Sequence, residues 1–205
     1  MLLLIALTLM AGTPQAVVPE AAIVRLVHEL GTFPAALPAG AASNGRVSET
    51  EQRRDTVYRE LRALDKTAVP ALTAGLGDPD VQVRRGVALY LAWVGGNYWR
   101  HAAGPLDIGP FVEPLTNALR DPDQRVKELA AQAFELTGAA GASAVPDLVR
   151  LLQDPSEGLR NSACIGLYGI GPAAKVALPA LHAALSDPSQ AVRQFARRAI
   201  DHIQR

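Results

Sequence analysis

Four histidines, one cysteine and a series of evenly spaced aspartates and arginines are the residues of this 205-residue chain whose types could do chemistry. A metal centre needs three or four His, Cys, Asp or Glu ligands brought together. His28-Glu29 is the only His-Glu pair, and His101, His182 and His202 belong to no spaced ligand set. The chain has no H-E-x-x-H, no G-x-S-x-G and no phosphate-cradling glycine loop. Cys164 falls in one column with Ala88 and Ala131, which reads as a small buried hydrophobe and not a nucleophile. The expectation is therefore no catalytic residue, no metal and no cofactor.

Charge and composition narrow the partners. Twenty basic and twenty acidic side chains give a formal net charge of zero. A general nucleic-acid or acidic-membrane binder needs an excess of Lys and Arg, so no strong nucleic-acid signal is present. One cysteine excludes a disulfide framework and a zinc ribbon. Leu2–Met10 is apolar but for Thr8, and too short to span a bilayer. Its length fits the core of a signal peptide over residues 1–16, and export to the periplasm or outside is expected. The alternative is a first buried helix in a cytoplasmic protein.

The aspartates are organised by a repeat. Asp-Pro occurs at Asp78, Asp121, Asp154 and Asp187, with spacings of 43, 33 and 33. Six and two residues before each stands a Leu: Leu72 and Leu76, Leu115 and Leu119, Leu148 and Leu152, Leu181 and Leu185. The i, i+4 spacing puts each pair on one helix face. Asp-Pro should end that helix and open a second, with Pro in its first turn and Asp capping it. The second helices read apolar at Val83, Val87, Leu91; Val126, Ala130, Phe134; Leu159, Ala163, Leu167; and Val192, Ala196, Ile200. Gly95, Gly138 and Gly171 should close the first three units in left-handed conformations. Neither helix of a pair can bury its apolar face alone, so the pairs must stack.

Segments 143–171 and 171–200 resemble HEAT repeats, in the form also seen in phycobilisome-lyase-type proteins. The resemblance spans roughly residues 50–205. It implies an all-α fold, a short α-α superhelix or armadillo-type solenoid of antiparallel helix pairs. It also implies that Asp and the basic residue six positions on form a hydrogen-bonded ladder between repeats: Asp78/Arg84, Asp121/Lys127, Asp154/Arg160 and Asp187/Arg193. Lys127 departs from the pattern and lacks the guanidinium fork. Residues 17–66 are read as degenerate capping helices, about 20–30 and from the capping box Ser48-Glu49-Thr50-Glu51 onward, joined by a Gly/Pro/Ala-rich loop. Residues 67–205 then hold four repeats, with a loop insertion at 95–110.

That insertion carries Tyr98, Trp99, Arg100 and His101, with Trp93 just before it. Such residues suit a protein-binding hot spot or a loop tucked over an exposed core edge. In HEAT-like stacks the second helices line the concave face. There Leu89, Trp93, Ile165 and Tyr168 would form a binding patch if exposed, or would fill gaps between repeats. The leading expectation is a non-catalytic interaction or scaffold module for a protein partner, as a monomer or within a complex. The alternative is an enzyme or enzyme subunit of the HEAT-like lyase or hydroxylase type, which no residue here carries.

Overall fold

A computed structural model describes residues 18–33, 48–94 and 107–205. The expected signal peptide, most of the Gly/Pro/Ala-rich loop, and Tyr98, Trp99, Arg100 and His101 lie outside the described residues. Among the described residues every regular element is helical. Two helices come first, α1 (Glu20–Leu30) and α2 (Glu49–Ala63). Four pairs follow: α3 (Val69–Leu76) with α4 (Val81–Val94), α5 (Val112–Ala118) with α6 (Gln124–Ala133), α7 (Val145–Leu151) with α8 (Glu157–Ile170), and α9 (Leu178–Ala184) with α10 (Gln190–Ile203).

The repeat columns form the core. Leu72, Leu115, Leu148 and Leu181 from the first helices are buried, as are Val83, Val126, Leu159 and Val192 from the second. Each large apolar side chain contributes about 1.5–3 kcal/mol by leaving water. The long second helices pack directly on one another, α4 on α6, α6 on α8 and α8 on α10. The run Glu157–Ala184 has the length and hydropathy of a membrane span. It is broken at Gly171, where φ is 67°, and less than half of its most apolar stretch is buried in the stack.

Local chemistry matches the expected turns in part. Gly138 and Gly171 take positive φ, of 51° and 67°, but Gly171, with ψ of −141°, is not in the expected left-handed helical region; Gly95 lies outside the described residues. The Asp-Pro prolines, however, do not sit in the first turn of the second helices. The N-caps are two residues beyond each aspartate: Asp123, Ser156 and Ser189 accept the backbone N–H of Val126, Leu159 and Val192. Asp121, Asp154 and Asp187 instead close a tight turn, accepting the N–H of residue i+2. The prolines inside a first turn are Pro70, Pro114, Pro146 and Pro179, one in each of the first helices.

The turn aspartates are thereby free to accept an arginine. Arg84 of the first pair grips Asp121 of the second, Nε to Oδ2 at 2.8 Å and Nη2 to Oδ1 at 3.2 Å. Arg160 grips Asp187 in the same way, at 2.7 and 3.0 Å. The third donor of each guanidinium, Nη1, turns back onto its own repeat. Arg84 binds the carbonyls of Asp78 and Pro79, and Arg160 those of Asp154 and Pro155. Both accepting carboxylates are only 8% exposed. Lys127 forms no such pair with Asp154.

The region upstream closes the stack without copying it. The Ser48–Glu51 capping box forms in full and opens α2. Glu29 on α1 receives both prongs of Arg53 from α2. His28 lies against Asp78, Nε2 to Oδ2 at 3.6 Å, so a residue of α1 stands where a preceding repeat would place its arginine. Arg54, six residues after Ser48, is no rung; it turns into the core at 7% exposure.

Removing the Arg160 clamp leaves Asp187 almost buried and unpaired. Arg160→Ala should lower unfolding free energy by about 2–3 kcal/mol, read by urea denaturation. The Arg160 hydrogen bond holds the Asp187 carboxyl below its ordinary value. The clamp therefore stabilises fully above the unfolded aspartate pKa of about 4, and its contribution is lost as pH falls from there through the folded value. Arg160→Ala should flatten that part of the acid denaturation profile; an unchanged profile would disprove the linkage.

Candidate functional site

The second helices pack on one another in a row, and side chains lock the register of the face they form. Beside each Arg–Asp rung runs another line of contacts, from one second helix to the N-cap of the next. Arg85 pairs with the Asp123 carboxylate, Gln124 donates to Ser156 Oγ at 2.9 Å, and Ser189 Oγ donates to Glu157 at 2.6 Å. Further along, Gln132 Nε2 donates to Ser162 Oγ at 3.0 Å. The Arg85 hydrogen bond holds the Asp123 carboxyl below the usual carboxylate range. In the first-helix layer Arg120 grips Asp147 of the next pair, and Arg150 bonds the same carboxylate. None of these pairs was anticipated from the sequence. Only the N-cap column, two residues past each Asp-Pro aspartate, offered a repeated signal for them.

The candidate binding residues divide by burial. Leu89 is 2% exposed, so it fills a gap between repeats and presents no surface to a partner. Ile165 is half-buried. Tyr168 is exposed; its ring lies 4.7 Å from that of His202, whose Nδ1 stands 2.8 Å from the Tyr168 carbonyl oxygen. Glu135, Gln194, Arg198 and Asp201 are exposed along the same face.

Trp93 is not a free-standing aromatic. Its ring meets Tyr58 of α2 edge-on at 6.1 Å, and Tyr58 meets Tyr90 at 5.1 Å. The Arg54 guanidinium lies 5.5 Å from the centre of the Trp93 ring, a cation–π contact. This cluster ties α2 to the end of α4, where the 95–110 insertion begins. Burial pushes both tyrosine hydroxyls well above their ordinary pKa. Tyr90 Oη and Arg54 Nε are buried there and find no hydrogen-bond partner among the described residues.

Two other features could have held a small molecule or a nucleophile. An open groove of about 800 Å³ lies between the first two pairs, lined by Thr73, Leu76, Pro110, Glu113, Pro114 and Asn117 among others. Arg84 and Asp121 of the first rung also line it. Cys164 is buried, and burial pushes its thiol up to about 12, so the reactive thiolate is scarce at neutral pH. Among the described residues no three of His, Cys, Asp and Glu gather as a metal-binding group.

Helix pairs stacked in register, with second helices forming one continuous face, define an α-solenoid. The family of HEAT repeats matches residues 112–201, and this part of the chain is similar to it. No curated protein matches the sequence. Among solved structures, the complex of CpcE and CpcF of phycocyanin lyase from Nostoc sp. is similar, with 20% identity and a TM-score of 0.63. That match covers 87% of this chain and 98% of the other. An engineered protein is similar at 22% identity and TM-score 0.60, covering 90% and 89% of the two chains. A designed armadillo repeat protein in complex with the peptide (KR)4 follows at 19% identity and TM-score 0.55, covering 89% and 82%. At these identities the likeness establishes the fold.

The two aromatic candidates should behave oppositely on truncation. Trp93→Ala removes a ring packed on Tyr58 and the core, and should cost about 2–3 kcal/mol in thermal or urea unfolding. Tyr168→Ala should cost less than about 1 kcal/mol, as surface substitutions do. Equal losses would contradict this division.

Proposed function

We propose that the chain is a non-catalytic protein–protein interaction module, holding a partner on its second-helix face and on the 95–110 segment that continues from α4. The observation that carries this reading is the locked register. Arg84–Asp121, Arg160–Asp187 and the N-cap contacts fix four short helix pairs into one surface. On that surface Glu135, Tyr168, Gln194, Arg198 and Asp201 face outward. A pre-ordered surface binds without the entropic cost of ordering itself. Two of the similar structures are themselves complexes, one of two lyase proteins and one of a designed protein with a peptide. Cys164 is buried and its thiol pushed up, so it offers no ready nucleophile.

Affinity capture from the native organism tests this with the wild type and a Glu135→Lys/Tyr168→Ala variant. Partner recovery should fall about tenfold or more for the variant, with thermal stability nearly unchanged. Equal recovery of the same partners would place the binding face elsewhere. A chromophore or metal co-purifying in stoichiometric amount would sink the non-catalytic reading.

We also propose export, supported by the apolar run Leu2–Met10. Sequencing the mature N-terminus should find a start between residues 12 and 23, and an intact Met1 would refute it.

A further inference from the structure

Three arginines stand six residues after an Asp-Pro aspartate, and the structure holds all three guanidinium groups by the same edge. Arg84 and Arg160 direct Nη1 onto the carbonyls of their own turns, at 2.8 and 3.2 Å and at 2.9 and 2.9 Å. Arg193 does the same, to Asp187 O at 2.6 Å and Pro188 O at 2.8 Å. In the first two, the opposite edge, Nε with Nη2, seats a carboxylate of the next pair. At Arg193 that edge meets no carboxylate among the described residues. The last guanidinium is thus fixed in the pose of a carboxylate receptor, with much of the ordering cost already met by its own turn.

The surroundings say what can fill the seat. Ala88, Ala131 and Cys164 form a column of small, fully buried residues where one second helix packs closely on the next. The matching position on α10 is Arg197, which is exposed. A long cation in that column obstructs a further repeat packed in the regular way. A second copy of this chain, docking head to tail, would have to offer its first turn aspartate, Asp78. That carboxylate is covered by His28 of α1. Residues 190–205 carry four arginines against one aspartate, so this end attracts negative charge. Arg197 lies one helical turn from Arg193 on the same face, and Arg198 rests over the Phe195 ring at 5.3 Å.

We propose that this end of the stack, centred on Arg193 and flanked by Arg197 and Arg198, is an interaction surface for an acidic protein segment. An aspartate or glutamate of that segment takes the two-pronged seat that Asp121 and Asp187 take inside. The proposal borrows from the interaction-module reading only that the ligand is a protein. The end surface adjoins the second-helix face and shares Arg198 with it, but its centre, Arg193, is no part of that face, so either can fail alone.

Arginine Nε–Hε resonances of the full ¹⁵N-labelled chain give a direct readout. The probe is an acetylated peptide, Glu-Asp-Pro-Asp-Glu-Leu, with Gln-Asn-Pro-Asn-Gln-Leu as its amide twin. The Arg193 resonance should shift saturably with the acidic peptide while those of Arg84 and Arg160 stay in place. The amide twin should leave all three unmoved, and added salt should weaken the binding. Arg193→Ala should weaken affinity about tenfold or more. Because Arg193 also ties its own turn, circular dichroism and thermal melting accompany that variant. Arg193→Lys keeps the charge but lacks the fork, and should lose most of the affinity as well. An unmoved Arg193 resonance would overturn the proposal, as would equal binding by the amide twin or by Arg193→Lys. So would tighter binding of inorganic phosphate or a single-stranded oligonucleotide, or a concentration-dependent shift of Arg193 without any probe.

Discussion

A guanidinium that must satisfy two repeats at once sets the register of the stack. Arg160 can reach Asp187 only while its Nη1 stays on the carbonyls of Asp154 and Pro155, so turn and rung are one geometric unit. The Asp187 carboxylate is almost buried, and a slip of one repeat against the next would strand it without a partner. A buried pair of this kind adds less to net stability than its Coulomb attraction suggests, because both ions must be desolvated. Its larger effect is to penalise every other arrangement of the same apolar columns. Leucines and valines tolerate sliding, whereas the fork of an arginine does not.

The same constraint explains how much of the molecule is legible in its sequence. Repetition exposes whatever recurs: the Leu pairs, the apolar columns of the second helices, and the Asp and Arg positions of the ladder are all read from spacing. Helix α1 is found at its observed bounds, Glu20–Leu30, because its apolar residues Ile23, Leu26 and Leu30 keep a helical period. What occurs once stays hidden. Arg120–Asp147 and Arg53–Glu29 join positions 27 and 24 residues apart that have no counterparts in other repeats. Trp93 looks like a surface anchor when only its own helix is considered. The partners that half-bury it, Tyr58 and Arg54, come from α2, whose placement no repeat copy could reveal.

The Asp-Pro prolines stand outside the second helices for a related reason. An Asp-Pro pair suits the start of a helix on local grounds, and the local rule is sound. Here the aspartate is already committed to the turn N–H and to an arginine of the previous pair. Capping therefore passes to the residue two positions on, where Asp123, Ser156 and Ser189 stand. That shift links the N-cap column to the preceding repeat through Arg85, Gln124 and Glu157. Local capping and long-range register thus draw on the same few side chains.

The interface between the second and third pairs shows how the stack accommodates a missing rung. Lys127 stands where the others have arginine, and it cannot grip a carboxylate while holding its own turn through a second edge. The same interface carries Arg120 on Asp147, Gln124 on Ser156 and Gln132 on Ser162. These offset the loss only in part. Asp147 is 9% exposed, but Arg120 is 60% exposed, and water screens a cation in that position. Arg84 and Arg160, by contrast, are each 14% exposed and clamp carboxylates as buried as Asp147. Polar locking is therefore strongest at the first and third interfaces. Between the second and third pairs, cohesion rests more on close helix packing, with the Gly166 Cα set directly against the Ala131 carbonyl, where even a methyl group would sit 2.6 Å from the oxygen.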